Sequence, residues 1–238
     1  GLLRRVVEEE PRDLAATREL EEVLEKEEDW PFLAEVLRKH VEVTEDEDER
    51  RTVRMHLSTV LRVGTDDLAG AEDTLRAVLD EHPADKEAFE DLADVLRESE
   101  SHEGLAELLK QRLEICPEDE SVPLRIQLIG VLSSDLTDAE AAQAQAAVLL
   151  SHAASDSAAR GCVMDLYTAM PDVRVRLAGA LTEAFLDASE HREADQVLAL
   201  AIDQEQDTDT KVSSLRTQIA LRRDHMGDPV SALESAYA

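Results

Sequence analysis

The sequence predicts an all-α protein in which antiparallel helix pairs stack into an α-solenoid. First, the segment VVEEEPRDLAATRELEEVLEK (6–26) aligns without a gap on VLDEHPADKEAFEDLADVLRE (78–98). Similar segments at a fixed offset indicate one supersecondary unit that is stacked several times. Second, 8 Gly, 7 Pro and 3% aromatic residues, against 43% hydrophobic residues, are typical of long helices with short connections. Third, apolar residues recur every three or four positions, which gives each helix one buried stripe.

Each predicted helix is one amphipathic stretch, and no strand-like alternation interrupts the series. Prolines followed closely by an acidic residue mark several boundaries, as at Pro11, Pro83 and Pro117. In chain order, we expect about fourteen helices, at 2–10, 13–27, 30–43, 47–63, 67–82, 85–99, 102–115, 118–134, 138–153, 157–169, 172–188, 191–205, 208–225 and 228–237.

The period of these helix pairs resembles that of the tetratricopeptide repeat (TPR) family. The match is best from Lys86 to Pro117, where one pair ends 34 residues after the previous proline, Pro83. The family's packing positions in this pair are filled by Phe89, Leu92, Ala93, Leu96, Leu105 and Leu109. The resemblance implies a right-handed superhelix whose first helices line a concave groove. The chain departs from the family in having mostly aliphatic residues at the aromatic positions, and Glu21 at a position for a small residue.

The repeat spacing divides the chain into two regions. Residues 1–153 hold TPR-like pairs at about 14–45, 47–83, 86–117 and 118–153. Residues 154–238 continue the helical repeats in an altered phase, with pairs at about 172–206 and 208–238. The stretch at 157–169 is either an extra helix or the point where the phase changes. Neither end resembles the polar capping helix of a solenoid, so we expect a fragment of a longer array.

The net charge of −30, from 55 acidic and 25 basic residues, limits the classes of partner. Such a field repels nucleic-acid phosphates and anionic lipid headgroups, and it attracts basic protein segments. The charge also serves solubility alone, which is the alternative explanation. No apolar stretch is long enough to span a bilayer. We therefore expect a soluble protein that binds a protein or peptide, without nucleic acid or membrane contact.

Motifs for catalysis, metals or cofactors are missing from the sequence. The seven histidines are scattered singly, and no nucleophile elbow, Walker loop or dinucleotide-binding glycine pattern occurs. The acidic runs 45–49 and 203–209 have the carboxylate density of a calcium site, but both precede a predicted helix, where carboxylates cap free N–H groups. We favour the capping role, and we expect no enzyme activity, no metal and no cofactor.

The two cysteines, Cys116 and Cys162, are too far apart in sequence to indicate a disulfide framework or a zinc site. Unpaired thiols favour a reducing compartment, so we expect a cytoplasmic location. The only tryptophan, Trp30, lies at the start of a helix. It is either an interface anchor or a packing residue between repeats, and we favour packing.

The TPR resemblance also selects partner-binding residues, because the positions left on the first helices after packing positions are removed face the groove. They are Arg18, Glu22, Glu25, Met55, Thr59, Arg62, Glu87, Glu90, Asp94 and Arg97. Carboxylates outnumber arginines in this set, which predicts an acidic concave surface with a few guanidinium groups for hydrogen bonding. The lysine and asparagine set with which some family members clamp a terminal carboxylate is not matched, since Glu22 and Asp94 stand where an amide is needed.

Three functions are compatible with these features. The first is a non-catalytic protein-interaction scaffold that binds a basic or amphipathic segment on the acidic concave surface. The second is a regulatory or sensor segment of a larger multidomain enzyme. The third is a structural spacer within an assembly. The sequence favours the scaffold.

Overall fold

A computed structural model describes residues 13–228 and Val230 of the chain. Within this part all regular structure is helical, and twelve α-helices follow one another. They are α1 (Leu14–Glu27), α2 (Trp30–Val43), α3 (Glu47–Thr59), α4 (Leu68–Glu81), α5 (Lys86–Glu98), α6 (His102–Ile115), α7 (Glu118–Gly130), α8 (Ala139–Ala153), α9 (Ser157–Ala169), α10 (Arg174–Asp187), α11 (His191–Gln204) and α12 (Thr208–Asp224). The all-α prediction is confirmed. The predicted helix at 2–10 and most of the one at 228–237 lie outside the described residues.

Three short elements modify the predicted helix ends. A π turn over Val60–Gly64 follows α3, a second π turn over Val131–Asp135 follows α7, and a 3₁₀ turn over Pro171–Val173 precedes α10. The predicted helices at 47–63 and 118–134 therefore each end in a π turn rather than in regular α-helix.

The chain forms two compact units, the first ending at Leu108 and the second beginning at Leu109. In the first unit α1 packs on α2, α2 on α3, α3 on α4 and α4 on α5. In the second unit the helices from α7 to α12 also pack on their sequence neighbours, and α7 contacts α9 while α8 contacts α10. Short connections between such neighbours make them antiparallel pairs. The repeat boundaries proposed from the sequence remain predictions.

Leucines and small residues fill the core of each unit. In the first unit Leu24, Leu37, Leu61, Leu75 and Leu96 are almost completely buried. Each such leucine stabilises the fold by about 1.5–3 kcal/mol relative to an exposed one. Small residues such as Ala71 and Ala88, also fully buried, let neighbouring helices approach closely.

Aspartates occupy the N-cap position of most of the described helices. Seven of them accept a hydrogen bond from the backbone N–H three residues later, at 2.8–3.1 Å. They are Asp13, Asp46, Asp67, Asp85, Asp138, Asp156 and Asp207. Each satisfies an N–H that has no partner inside its helix. Asp46 and Asp207 belong to the two acidic runs, so the predicted capping role of those runs is confirmed.

Candidate functional site

The ten predicted groove residues lie on α1, α3 and α5 and, for Arg62, in the π turn after α3. Nine of them are exposed or half-buried. Met55 differs, because only 8% of it is exposed. Its carbonyl oxygen accepts hydrogen bonds from the hydroxyls of Ser58 at 2.7 Å and Thr59 at 3.1 Å. Met55 packs in the core and offers little surface to a partner.

Polar contacts join α1 to α3. The Arg18 guanidinium on α1 donates a hydrogen bond to the Glu49 carboxylate on α3. His56 Nε2 on α3 lies 2.7 Å from Glu25 Oε1 on α1. Both contacts bring side chains of α1 and α3 together.

Further ion pairs join α3 and its π turn to α5. Arg51 donates to Glu87 at 2.6 Å, and Arg62 donates through Nε to Glu98 at 2.8 Å. The hydrogen bond from Arg62 holds the pKa of Glu98 below its ordinary value. Ion pairs therefore connect α1 to α3 and α3 to α5, along the side of the three helices that carries these side chains. We call this surface the acidic face, and we define it by Glu22, Glu25, Glu87, Glu90, Asp91 and Asp94.

The three arginines of the predicted groove are directed at carboxylates of the chain itself. Arg18 bonds to Glu49, Arg62 bonds to Glu98, and Arg97 donates to Asp94 at 2.8 Å. A partner carboxylate would have to compete with these internal acceptors. The arginines therefore neutralise part of the negative charge on this side of the helices.

Two carboxylates of α5 accept no hydrogen bond from any side chain or backbone group in the described ranges. Glu90 is exposed and Asp91 is half-buried. Burial raises the pKa of Asp91 above its ordinary value, and the negative charges of Glu87, Asp94 and Glu90 add to this shift. The Arg62 charge opposes it. The acidic face thus keeps a surplus of negative charge where α5 meets the end of α3.

Asp91 was not among the residues predicted from the sequence. It lies four residues after Glu87 and three before Asp94, and residues at this spacing share one side of a helix. That spacing is the sequence feature that places Asp91 on the same side of α5 as Glu87 and Asp94. Asp91 is also adjacent to Leu92, a packing position, so sequence alone did not distinguish a groove residue from a solvated flank.

A recess of about 190 Å³ opens beside Asp91. Its walls come from the end of α3, the following π turn, α4 and α5. They are formed by Ser58, Thr59, Arg62, Val63, Leu75, Asp91 and Val95. Thr59 and Arg62 belong to the predicted groove, so the structure brings two predicted residues together with the carboxylate that the sequence reasoning missed.

A buried polar pair lies behind the acidic face. Glu21 on α1 and His40 on α2 are only 9% and 2% exposed, and His40 Nδ1 lies 2.7 Å from Glu21 Oε1. The other ring nitrogen, Nε2, lies 3.7 Å from Glu49 Oε1 and makes no hydrogen bond within the described residues. These contacts connect α1, α2 and α3. They explain why glutamate replaces a small residue at position 21.

Trp30 packs against the loop that follows α3. A Cβ atom built on Gly64 would lie 2.7 Å from Trp30 Cγ and 2.8 Å from Trp30 Cβ. Trp30 at the start of α2 therefore presses directly on the backbone of the π turn. This contact between successive helix pairs is the packing role that the sequence favoured for Trp30.

Neither cysteine is paired in a disulfide, and both are half-buried. Burial raises the pKa of Cys162 to about 11. Since the thiolate is the nucleophilic form, this shift lowers the reactivity expected of Cys162 near neutral pH. Across residues 13–228, no group of three or more His, Cys, Asp or Glu side chains is arranged to hold a metal ion. None of the helices described here has the length and apolarity needed to cross a membrane.

Neither the known protein families nor the curated proteins contain a match to this sequence. Among solved structures, the chain is similar to a tetratricopeptide repeat protein from Parabacteroides merdae ATCC 43184, with 13% identity and a TM-score of 0.43 over 93% of this chain and 76% of that one. It is also similar to YrrB, a TPR protein with an unusual peptide-binding site, with 16% identity and a TM-score of 0.39 over 100% of this chain and 99% of that one. Both are TPR proteins, and both TM-scores lie below 0.5, so neither structure indicates what this chain binds.

Proposed function

We propose that this TPR-like helical array is a non-catalytic protein-interaction module whose acidic face binds a basic or amphipathic protein segment. The proposal is supported by which charged groups on that face already have partners within the chain. Its arginines are engaged by carboxylates of the same chain, whereas Glu90 and Asp91 accept no hydrogen bond within the described ranges. A surface with surplus carboxylates and occupied cations selects a cationic partner.

The helical framework supports binding of an extended segment. Because α1, α3 and α5 are tied by ion pairs, the acidic face presents its carboxylates at fixed positions without a large ordering cost on binding. Exposed charges on such a face mainly set the association rate and the discrimination between partners. Binding is therefore expected to weaken as salt rises. The free thiols favour a reducing compartment for this interaction.

The proposal is tested by reversing charge on the acidic face. We expect Glu87→Lys, Glu90→Lys and Asp94→Lys, combined, to abolish capture of the proteins that bind this chain at low salt. The matched control is Glu35→Lys, Asp73→Lys and Asp80→Lys, which makes the same change in net charge on exposed positions of the second helices α2 and α4. Affinity capture with mass spectrometry at low and raised salt measures both, after circular dichroism has shown that each variant is folded.

The control separates the possible outcomes. Loss of binding in the first variant alone supports the acidic face. Equal loss in both variants would mean that net charge, rather than this face, attracts the partners. If neither variant loses a partner, the acidic face is not the binding surface, and the spacer function is favoured.

A further inference from the structure

The recess beside Asp91 is lined by both apolar and charged residues. Leu75 and Val95 line it but are each only 1% exposed, whereas Val63 at its edge is 79% exposed. Asp91 contributes a carboxylate that accepts no hydrogen bond from the described residues. The recess therefore combines apolar groups with the Asp91 carboxylate and the Arg62 guanidinium.

The hydroxyl groups of the recess add hydrogen-bond acceptors. The hydroxyl of Thr59 donates its proton to the Met55 carbonyl, so the lone pairs of its oxygen remain able to accept. Arg62 supplies N–H donors, but its Nε bonds to Glu98 at 2.8 Å and Nη2 bonds to the other oxygen of the same carboxylate. The group that fits this lining is a hydrogen-bond donor with a positive charge and an apolar stem.

We propose that the recess receives a lysine side chain of the bound segment, with its ammonium group on Asp91 and its methylene stem against Val63. This inference rests on the proposed function and names the anchor residue of the partner. Lysine fits better than arginine because its ammonium is a compact point charge on a flexible stem, whereas a guanidinium needs a planar arrangement of acceptors. The stem of a lysine covers apolar surface while its charged end stays with polar groups.

The energetics of Asp91 agree with a binding role. Burial, and then the neighbouring carboxylates, raise the pKa of Asp91. A group whose pKa is raised in the folded state favours folding most at low pH, and this contribution is lost as pH rises through the folded pKa. At neutral pH the charged Asp91 therefore destabilises the free protein. The Arg62 charge offsets part of this penalty, and an incoming ammonium group would offset more of it.

The test uses hexalysine as the probe, and acetylated hexalysine, which keeps the stems without the charge, as the ligand control. We expect Asp91→Asn to weaken hexalysine binding by about tenfold, the effect of losing one charge-assisted hydrogen bond. Glu90→Gln removes the same charge from an exposed neighbour and should weaken binding by about twofold. Thr59→Met, which fills the recess and leaves Asp91 in place, should weaken binding about as much as Asp91→Asn. Isothermal titration calorimetry measures each affinity.

Two further measurements distinguish binding from folding effects. Asp91→Asn should raise the melting temperature at neutral pH, because it removes an unpaired charge. In NMR titrations of the carboxyl carbon, hexalysine should lower the pKa of Asp91, and acetylated hexalysine should not.

The outcomes separate this inference from the proposed function. If Asp91→Asn and Glu90→Gln weaken hexalysine binding equally, or if Thr59→Met has no effect, the recess does not hold a lysine. The acidic face would still be supported as the binding surface if the triple reversal at Glu87, Glu90 and Asp94 abolished binding. If hexalysine binding survives that reversal as well, the recess and the proposed function both fail.

Discussion

Two loops of the molecule share their backbone hydrogen bonds but differ at most of their side chains. The first covers residues 60–67 and the second covers 131–138. Each is a π turn followed by one non-glycine residue with positive φ, 56° at Asp66 and 52° at Thr137. Each then ends in an aspartate that caps the next helix. In both loops the capping residue also donates its backbone N–H to a carbonyl six residues earlier, at 2.8 Å.

Five of the eight aligned positions carry different residues in the two loops, and the other three carry the same valine, leucine and capping aspartate. The first loop carries Arg62, which bonds to Glu98 and lines the recess, and Gly64, which contacts Trp30. The second loop has Ser133 and Asp135 at the corresponding positions. The comparison teaches that the repeat conserves the connection between helices, while the binding chemistry depends on which side chains a particular copy carries.

The largest expected difference between the loops is at Gly64. Gly64→Ala places a methyl group within 2.7–2.8 Å of Trp30, close to the base of that side chain, where it has little freedom to move. We expect a destabilisation of about 1–3 kcal/mol from overpacking. Urea denaturation followed by circular dichroism measures the change, and a shift in the emission of the single tryptophan reports on the contact directly.

Gly130→Ala is the matched control, at the residue just before the second π turn. A Cβ atom there meets no other atom within 4 Å, and the backbone of Gly130 is helical. This change should stabilise the protein by about 0.4–1 kcal/mol. If Gly64→Ala were also stabilising and left the emission unchanged, the Trp30 contact would not distinguish the two loops.

The caps are expected to behave alike. Asp67 accepts from Gly70 N at 2.9 Å and Asp138 accepts from Ala141 N at 3.0 Å. Replacing either by Ala should therefore destabilise the protein by about 1 kcal/mol, whereas Asn, an equally good cap, should have almost no effect. Shifts in the urea midpoint measure both pairs. A much larger loss at Asp67 would show that the first loop depends on more than the shared backbone.

The smallest expected effect concerns the residues with positive φ. Thr137 is β-branched and strained in this conformation, whereas aspartate tolerates it better. Thr137→Gly should stabilise the protein by about 0.5–1 kcal/mol, and Asp66→Gly by less. Thermal unfolding followed by circular dichroism compares the two. Equal gains would contradict a difference in backbone strain between the loops.

Local features of the sequence predicted most of the fold. The apolar spacing placed all twelve described helices, and the aspartates before them act as caps, as expected of Asp46 and Asp207. Both signals depend on residues within one or two helical turns, so they can be identified without knowing the partners of a helix. The π turns were missed because they continue the helical apolar pattern and change only the hydrogen bonding.

The candidate site was predicted only in part. Spacing along α5 selected Glu87, Glu90 and Asp94, but the same pattern along α3 placed Met55 on the surface, where the structure buries it. Glu21 looked like a departure from the repeat until the structure placed it beside His40. Each of these differences arises from contacts with a neighbouring helix, which a single-helix pattern does not contain.

By itself, the sequence determined an all-helical repeat with acidic first helices, since helix periodicity, capping and net charge are properties of short segments. The tertiary structure alone decided which charges are satisfied. It paired Arg18 with Glu49 and Arg62 with Glu98, residues 31 and 36 positions apart in the chain. It also left Asp91 without a hydrogen-bond donor in the described ranges, beside a recess. Those outcomes depend on distances across helices, and only packing sets them.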